Sequence, residues 1–257
     1  MTPLANILAA RTPLANGFGS EIPSDWLQGR TAFGGLSAAL ALQAALDAEP
    51  DLPPLRSAQV AFIGPLSGKV TVTATKLRRG RNAAFLQADV ASEAGLGLRA
   101  TFVFMNALPS AVSHDVAPRA AERAPEPDAK VYVGPESFFT GNFEFLDLKD
   151  TTGPAEWRRW ARLREREGLD PFVELMAIGD GLPPAALKLF GNKMIPLSSL
   201  NWQINFLTPA PLTERGWWLL SATADTAHDG YSSQRMTLWN AAGEPVAEAM
   251  QAVAIFG

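Results

Sequence analysis

Apolar residues along this chain follow two periods, and the order in which those periods appear repeats. Residues 34–47 read GGLSAALALQAALD, interrupted only by Ser37, Gln43 and Asp47. A helix there is dry on nearly every face, so it must be buried on all sides; Pro50, Pro53 and Pro54 end it. Residues 56–65, 68–82, 83–92 and 95–105 then read as strands rich in Val, Thr, Phe and Ala, parted by glycine turns at Arg79-Gly80-Arg81-Asn82 and Ala94-Gly95. Val70, Val72 and Ala74 alternate with Thr71, Thr73 and Thr75, the period of a half-buried strand. A further strand is predicted over 18–27. One buried helix wrapped by an antiparallel sheet accounts for this half.

Residues 106–130, with Pro109, Pro118, Pro125, Pro127 and mixed charge, lack an apolar period and read as a linker, with His114 at its surface. Then the pattern restarts. Strands are predicted over 137–148 and 156–164, the second with Trp157, Arg159, Ala161 and Leu163 on one face. A helix over 170–178 has Asp170 as its cap, Pro171 at its first position and Val173, Met176 and Ala177 at helical spacing. Strands follow over 197–209, 217–230, 231–243 and 244–256. Phe62-Ile63-Gly64-Pro65 has a counterpart in Phe206-Leu207-Thr208-Pro209, and the hairpins at Gly80 and Gly95 match those at Gly230 and Gly243. A period of about 140 residues is too long for a solenoid and predicts a duplicated domain, with units 1–107 and 131–257 joined by 108–130. The shorter repeat TPLAN, at Thr2 and again at Thr12, is read as coincidence.

Composition narrows the function classes. The chain has 257 residues, 47% of them hydrophobic, and a net charge of −4. That charge argues against a phosphate-binding footprint, so no nucleic-acid partner is expected. Without Cys there is no disulfide, thiolate nucleophile or cysteine metal site, and two His, His114 and His228, cannot build a histidine-rich one. No metal or cofactor is expected. The N-terminus lacks the charged region and apolar run of a signal peptide, and no stretch reaches the roughly eighteen apolar residues of a membrane span. A cytoplasmic protein is the expectation.

The chemistry centres on residues 170–209. Pro183 and Pro184 follow Gly179-Asp180-Gly181, so the second helix ends on a carboxylate. At a helix C-terminus the dipole disfavours negative charge and raises the pKa of Asp180, which makes it a candidate base. The bland alternative is a solvated turn residue, the commoner role of a glycine-flanked Asp. Ser199 opens the next strand, where a hydroxyl can also simply bond its own backbone.

A helix entered through Phe33-Gly34-Gly35, the Phe-x-x-Pro strand ends, the hairpin Arg78-Arg79-Gly80-Arg81-Asn82 and the duplication resemble the double hotdog fold, an α+β architecture, of the acyl-CoA thioesterase II family. The second half adds Trp160-Ala161-Arg162, Gly179-Asp180, Ser199-Leu200-Asn201 and Val246-Ala247 ahead of Gln251. The resemblance implies an acyl-CoA substrate and a water held jointly by an Asp, a Ser or Thr, and a Gln of the second unit, which fall on Asp180, Ser199 and Gln251. Serine replaces the usual threonine, and Asn201 stands where an Asp is common. Counting from Gly95, the position matching Gln251 in the first half is Val103, so one catalytic centre per chain is expected. Phe33, Gly34 and Gly35 are expected to contact substrate. Arg78 and Arg81 are either a solvated turn or contacts for the coenzyme A phosphates.

Hydrolysis of a fatty or other acyl-CoA thioester by direct attack of water is therefore the predicted function. A non-catalytic acyl-CoA or acyl-ligand binding protein is the alternative. A hotdog hydratase or dehydratase needs a histidine on its central helix, and neither helix has one. Exposed strand edges allow a homo-oligomer.

Overall fold

The computed structural model describes residues 1–148, 153–191, 193 and 195–256. Its first half contains α1 (Leu4–Ala9), β1 (Thr12–Leu14), β2 (Gly17–Ile22), β3 (Leu27–Gln28), β4 (Thr31–Ala32), α2 (Gly34–Ala48), β5 (Leu55–Phe62), β6 (Gly68–Arg79), β7 (Ala83–Ser92) and β8 (Gly95–Met105). The second contains β9 (Phe143–Asp147), β10 (Glu156–Leu163), α3 (Pro171–Gly179), β11 (Leu197–Phe206), β12 (Trp218–His228), β13 (Tyr231–Trp239) and β14 (Pro245–Ile255). Among the described residues, one twelve-stranded antiparallel sheet runs β1-β2-β6-β7-β8-β5-β11-β14-β13-β12-β10-β9, with β3 and β4 paired separately. The arrangement is an α+β double hotdog: each unit folds its strands around a helix, and the units join where β5 pairs with β11, Gln59 opposite Gln203.

Small side chains explain how closely the layers approach. In α2, Ala38, Ala39, Ala41, Ala44 and Ala45 are fully buried, as are Leu36, Leu40 and Leu42. This helix packs on β6, β7, β8 and α3. Helix α3 is fixed at its start by Asp170, whose carboxylate accepts from the N–H groups of Phe172 at 2.8 Å and Val173 at 3.3 Å. Its other end is set by the chemistry of Gly179-Asp180-Gly181, with the Gly181 N–H bonded back to the Ile178 carbonyl.

Three segments differ from expectation. The first strand stops at Ile22, because Pro23 and a 3-10 turn over Ser24–Trp26 break it before β3. The strand expected from residue 137 begins only at Phe143, after a 3-10 turn at Phe139–Asn142 that stacks Phe139 on Phe33 with ring centroids 4.1 Å apart. Residues 106–130 have no helix or strand, yet part of the segment is docked. The Trp239 indole donates to the Pro118 carbonyl, the Ala120 N–H to that of Gly243, and Glu122 pairs with Arg158. It thereby covers Trp160, Trp217, Leu219 and Trp239, an apolar cluster on the outer side of the second unit's sheet. The TPLAN repeat takes two conformations: Leu4 lies in α1 and is buried, whereas Leu14 lies in β1 and is exposed.

Register also revises the counterpart of Gln251. Trp202 pairs with Gln251, and the equivalent residue across the centre at Gln59 and Gln203 is Ala58, which pairs with Phe102. The hairpin before β14 is one residue longer than the one before β8, since Leu238 faces Ala247 while Val90 faces Leu98. Counting from the glycines therefore lands on Val103, one residue too far. Phe102 is fully buried, so the first unit carries an aromatic ring where the second carries an amide.

Candidate active site

The end of α3 meets the start of α2. A Cβ on Gly34 would lie 2.6 Å from Oδ2 of Asp180, and one on Gly35 would lie 2.4 Å from the Ala177 carbonyl oxygen. Absence of side chains at both positions is thus what lets the first turn of α2 reach the carboxylate and the last turn of α3. The Gly35 N–H donates to Asp180. From the other side Gln251, buried on β14, donates its Nε2–H to Asp180 Oδ1 at 3.0 Å. The Gln251 Oε1 accepts from Nε2 of Gln234 at 2.6 Å, and the Gln234 Oε1 accepts from the Ala185 N–H at 2.8 Å.

Burial pushes the Asp180 carboxyl up from its ordinary value near 3.8 to about 7, and the bonds from Gln251 and Gly35 pull it down by less. Desolvation is thus the leading cause, where the sequence pointed to the dipole of α3. The N-terminal end of α2 acts in the opposite sense, because its free N–H groups favour a carboxylate. A carboxyl poised near neutrality can take a proton from water at physiological pH.

Asp180, Ser199 and Gln251 all line one cavity of about 630 Å³. Ser199 gets there through a bulge. Trp202, Ile204 and Phe206 are the buried residues of β11, and strict alternation would turn Ser199 away from them. The register slips between Ser199 and Asn201, so Leu200 and Asn201 are both exposed and Ser199 returns to the inner face. Among the described residues no hydrogen bond joins its hydroxyl to Asp180 or Gln251. The rest of the wall is largely apolar, with Phe33, Phe62, Leu66, Phe139, Leu182 and Leu187 from both units.

Of the expected substrate contacts, Phe33 and Gly34 line the cavity, and Gly35 sits behind them against α3. Arg78 and Arg81 are not brought to it. They lie at the β6–β7 hairpin, where neighbouring Arg79 donates to the Asp51 carbonyl in the chain leaving the C-terminus of α2. The cavity lies at the N-terminus of that 15-residue helix, about 22 Å away along its axis.

Two polar residues of the site were not singled out from sequence. Gln234 belongs to the buried set Ser232, Gln234, Met236 and Leu238 of β13, and a polar residue on an otherwise inward-facing stripe was the available signal. Arg159, on the inner face of β10, is held by Asp147 at 2.6 and 3.2 Å, lies 4.4 Å from the Phe145 ring centroid, and reaches the Gly181 carbonyl at 3.4 Å. It braces the loop that follows Asp180.

Sequence profiles of this architecture match nearly the whole chain: the acyl-CoA thioesterase N-terminal domain over residues 22–105, and the acyl-CoA thioesterase C-terminal domain over residues 111–255. The chain belongs to the acyl-CoA thioesterase family. Among solved structures, a conserved protein of unknown function with a hot dog fold from Alicyclobacillus acidocaldarius superposes with a TM-score of 0.84 at 21% identity, covering 100% of this chain and 99% of that one. The tesB protein of Mycobacterium avium subs paratuberculosis gives 0.79 at 19% identity, with 99% of each chain covered. Acyl-CoA thioesterase II TesB2 of Mycobacterium marinum gives 0.77 at 15%, covering 98% of this chain and 96% of that one. At these identities the structural matches establish the shared fold. No curated protein matches the chain. For a member of the acyl-CoA thioesterase family, the reaction to be explained is thioester hydrolysis, and no helix among the described residues is long and apolar enough to cross a membrane.

Proposed function

We propose that this acyl-CoA thioesterase hydrolyses its substrate by direct attack of a water that Asp180 deprotonates, with two hotdog units, 1–107 and 131–257, joined by 108–130 and contributing one catalytic centre per chain. The observation that carries the reading is the place of Asp180, bonded to Gln251 at the wall of a largely apolar cavity, where burial raises its carboxyl to about 7. The acyl group lies against the aromatic wall. Water oxygen bonds to the thioester carbon as its proton passes to Asp180 and the carbonyl electrons move onto oxygen. Collapse of that intermediate breaks the C–S bond, and the thiolate recovers the proton from Asp180.

The N-terminal turn of α2 suits the developing oxyanion. Phe33 occupies its N-cap and has no side-chain oxygen to take the first N–H groups. Gly34 lines the cavity next to Asp180, in the part of the helix where the dipole favours negative charge. Ser199 orients the water. Gln251 has a more restricted part than its chemistry alone would allow: one Nε2 hydrogen is committed to Asp180 and its oxygen to Gln234, so a single N–H remains for water or substrate.

Thiol release from a panel of acyl-CoA esters tests this. The wild type should turn over at least one ester, and Asp180→Asn should be about a hundredfold slower or more. Comparable rates would remove Asp180 from the mechanism. Tight binding without turnover of any ester would favour a non-catalytic acyl-CoA binding protein.

A further inference from the structure

We infer that Gln234 is a positioning residue of this site: it fixes which end of the Gln251 amide faces Asp180. The inference rests on the hydrolase reading above for its kinetic consequences, though the geometry stands apart from it. The Ala185 backbone N–H can only donate, so the Gln234 atom 2.8 Å from it must be the oxygen. Gln234 therefore presents its NH₂ at the other corner, 2.6 Å from Gln251, and the Gln251 atom there must be the acceptor, Oε1. That leaves the Gln251 NH₂ to face Asp180 Oδ1 at 3.0 Å. One backbone N–H thus sets the sense of three successive bonds. Both amides are buried, at 1% exposure for Gln234 and 3% for Gln251, so these bonds are shielded from bulk water.

Both ends of this chain are in one loop. Asp180 opens it and Ala185 starts the 3-10 turn after Pro183-Pro184. The two glutamines, on neighbouring strands β13 and β14, clamp that loop to the sheet at the reacting carboxylate and again five residues later. Without Gln234 the Gln251 amide loses the partner that keeps its oxygen away from Asp180. A flipped amide would set that oxygen against the carboxylate and disfavour ionisation.

Other charges near Asp180 do not fill this role. Arg159 of β10 is paired with Asp147 and bonded to the Gly181 carbonyl, and Glu174, further back on α3, is paired with Arg166. Helix α2 and strand β11 offer the hydroxyls Ser37 and Ser199 to the same cavity.

The test is a double-mutant cycle of Gln234→Met and Gln251→Met, with the pH profile of kcat/KM and the pH dependence of thermal stability measured for each. Gln234→Met should lower kcat about tenfold with little change in KM, and should move the acidic limb to higher pH. In the Gln251→Met background the same change should have almost no further effect on kcat, because Gln234 acts through Gln251. Additive losses, or an unmoved acidic limb in Gln234→Met, would overturn the inference. If Gln234→Met does not fold, Gln234→Glu replaces it. Protonated Glu donates to Gln251 as Gln does and ionised Glu cannot, so its rate should fall on the alkaline side where wild type stays level; a level profile overturns the inference. The thermal measurement reads Asp180 without substrate. If no ester is hydrolysed but the pH dependence of stability still shifts in Gln234→Met, the hydrolase reading fails and the positioning inference survives.

Discussion

Replacing Asp180 with Asn should make the protein more stable at alkaline pH while it disables the site. The ionised carboxylate is desolvated in the folded state, which raises its pKa by about 3 units, from 3.8 to about 7. At about 1.4 kcal/mol per unit the full cost of keeping it charged is on the order of 4 kcal/mol, and partial access through the cavity reduces this to about 2–3 kcal/mol. The folded protein holds the proton more tightly than the unfolded chain. Its stabilising contribution is therefore complete below about pH 4, declines as pH rises, and is gone above about pH 7. Asn titrates nowhere in this range. It can accept from Gln251 with its one oxygen but turns an NH₂ group toward the α2 terminus, losing a bond worth about 1 kcal/mol. At pH 8 the variant should be about 1–2 kcal/mol more stable, a rise in Tm of roughly 3–6 °C, and at pH 5 it should match the wild type or fall slightly below it. Thermal unfolding followed by circular dichroism across pH 5–8 measures this directly. A Tm difference that stays constant over that range would refute the claim that Asp180 is strained by desolvation.

The same ionisation sets the rate: kcat/KM should climb with pH and level off above about 7, with the limb absent in the residual activity of Asp180→Asn. Gly35→Ala places a Cβ against the Ala177 carbonyl, which cannot yield as a flexible side chain would. It should cost about 1–3 kcal/mol by chemical denaturation and reduce turnover through displacement of Asp180. Ser199→Ala should slow hydrolysis about tenfold while Ser199→Thr keeps most of the rate, since the hydroxyl is what holds the water; equal rates for Ala and Thr would remove that role. Phe102→Gln should create no second centre. It buries an amide where Phe102 is fully enclosed, and should destabilise by about 3–5 kcal/mol with no gain in thiol release.

Periodicity made much of this fold legible. A run of Ala and Leu broken by three polar residues can only be a helix buried on all sides, and alternating Val and Thr can only be strands with one dry face, so the duplicated helix-and-sheet order followed from solvent preference alone. Local chemistry likewise located the end of α3 at Asp180, because consecutive glycines and prolines stop a helix wherever it lies. What the chain could not express by itself was which groups meet. Ser199 faces the cavity because β11 bulges at Leu200, and the first-unit counterpart of Gln251 is Phe102 because one hairpin is a residue longer than its counterpart. Those are properties of strand pairing, set by neighbours far away in the chain. The state of Asp180 is decided in the same way. Its own helix disfavours the charge, but the Gly35 N–H of a helix from the other unit and an amide from the last strand hold it, and burial between the two units outweighs both. Periodicity tells each segment which face to hide; only the packed molecule determines what that face is hidden against, and the proton affinity of a buried carboxyl depends on that second fact.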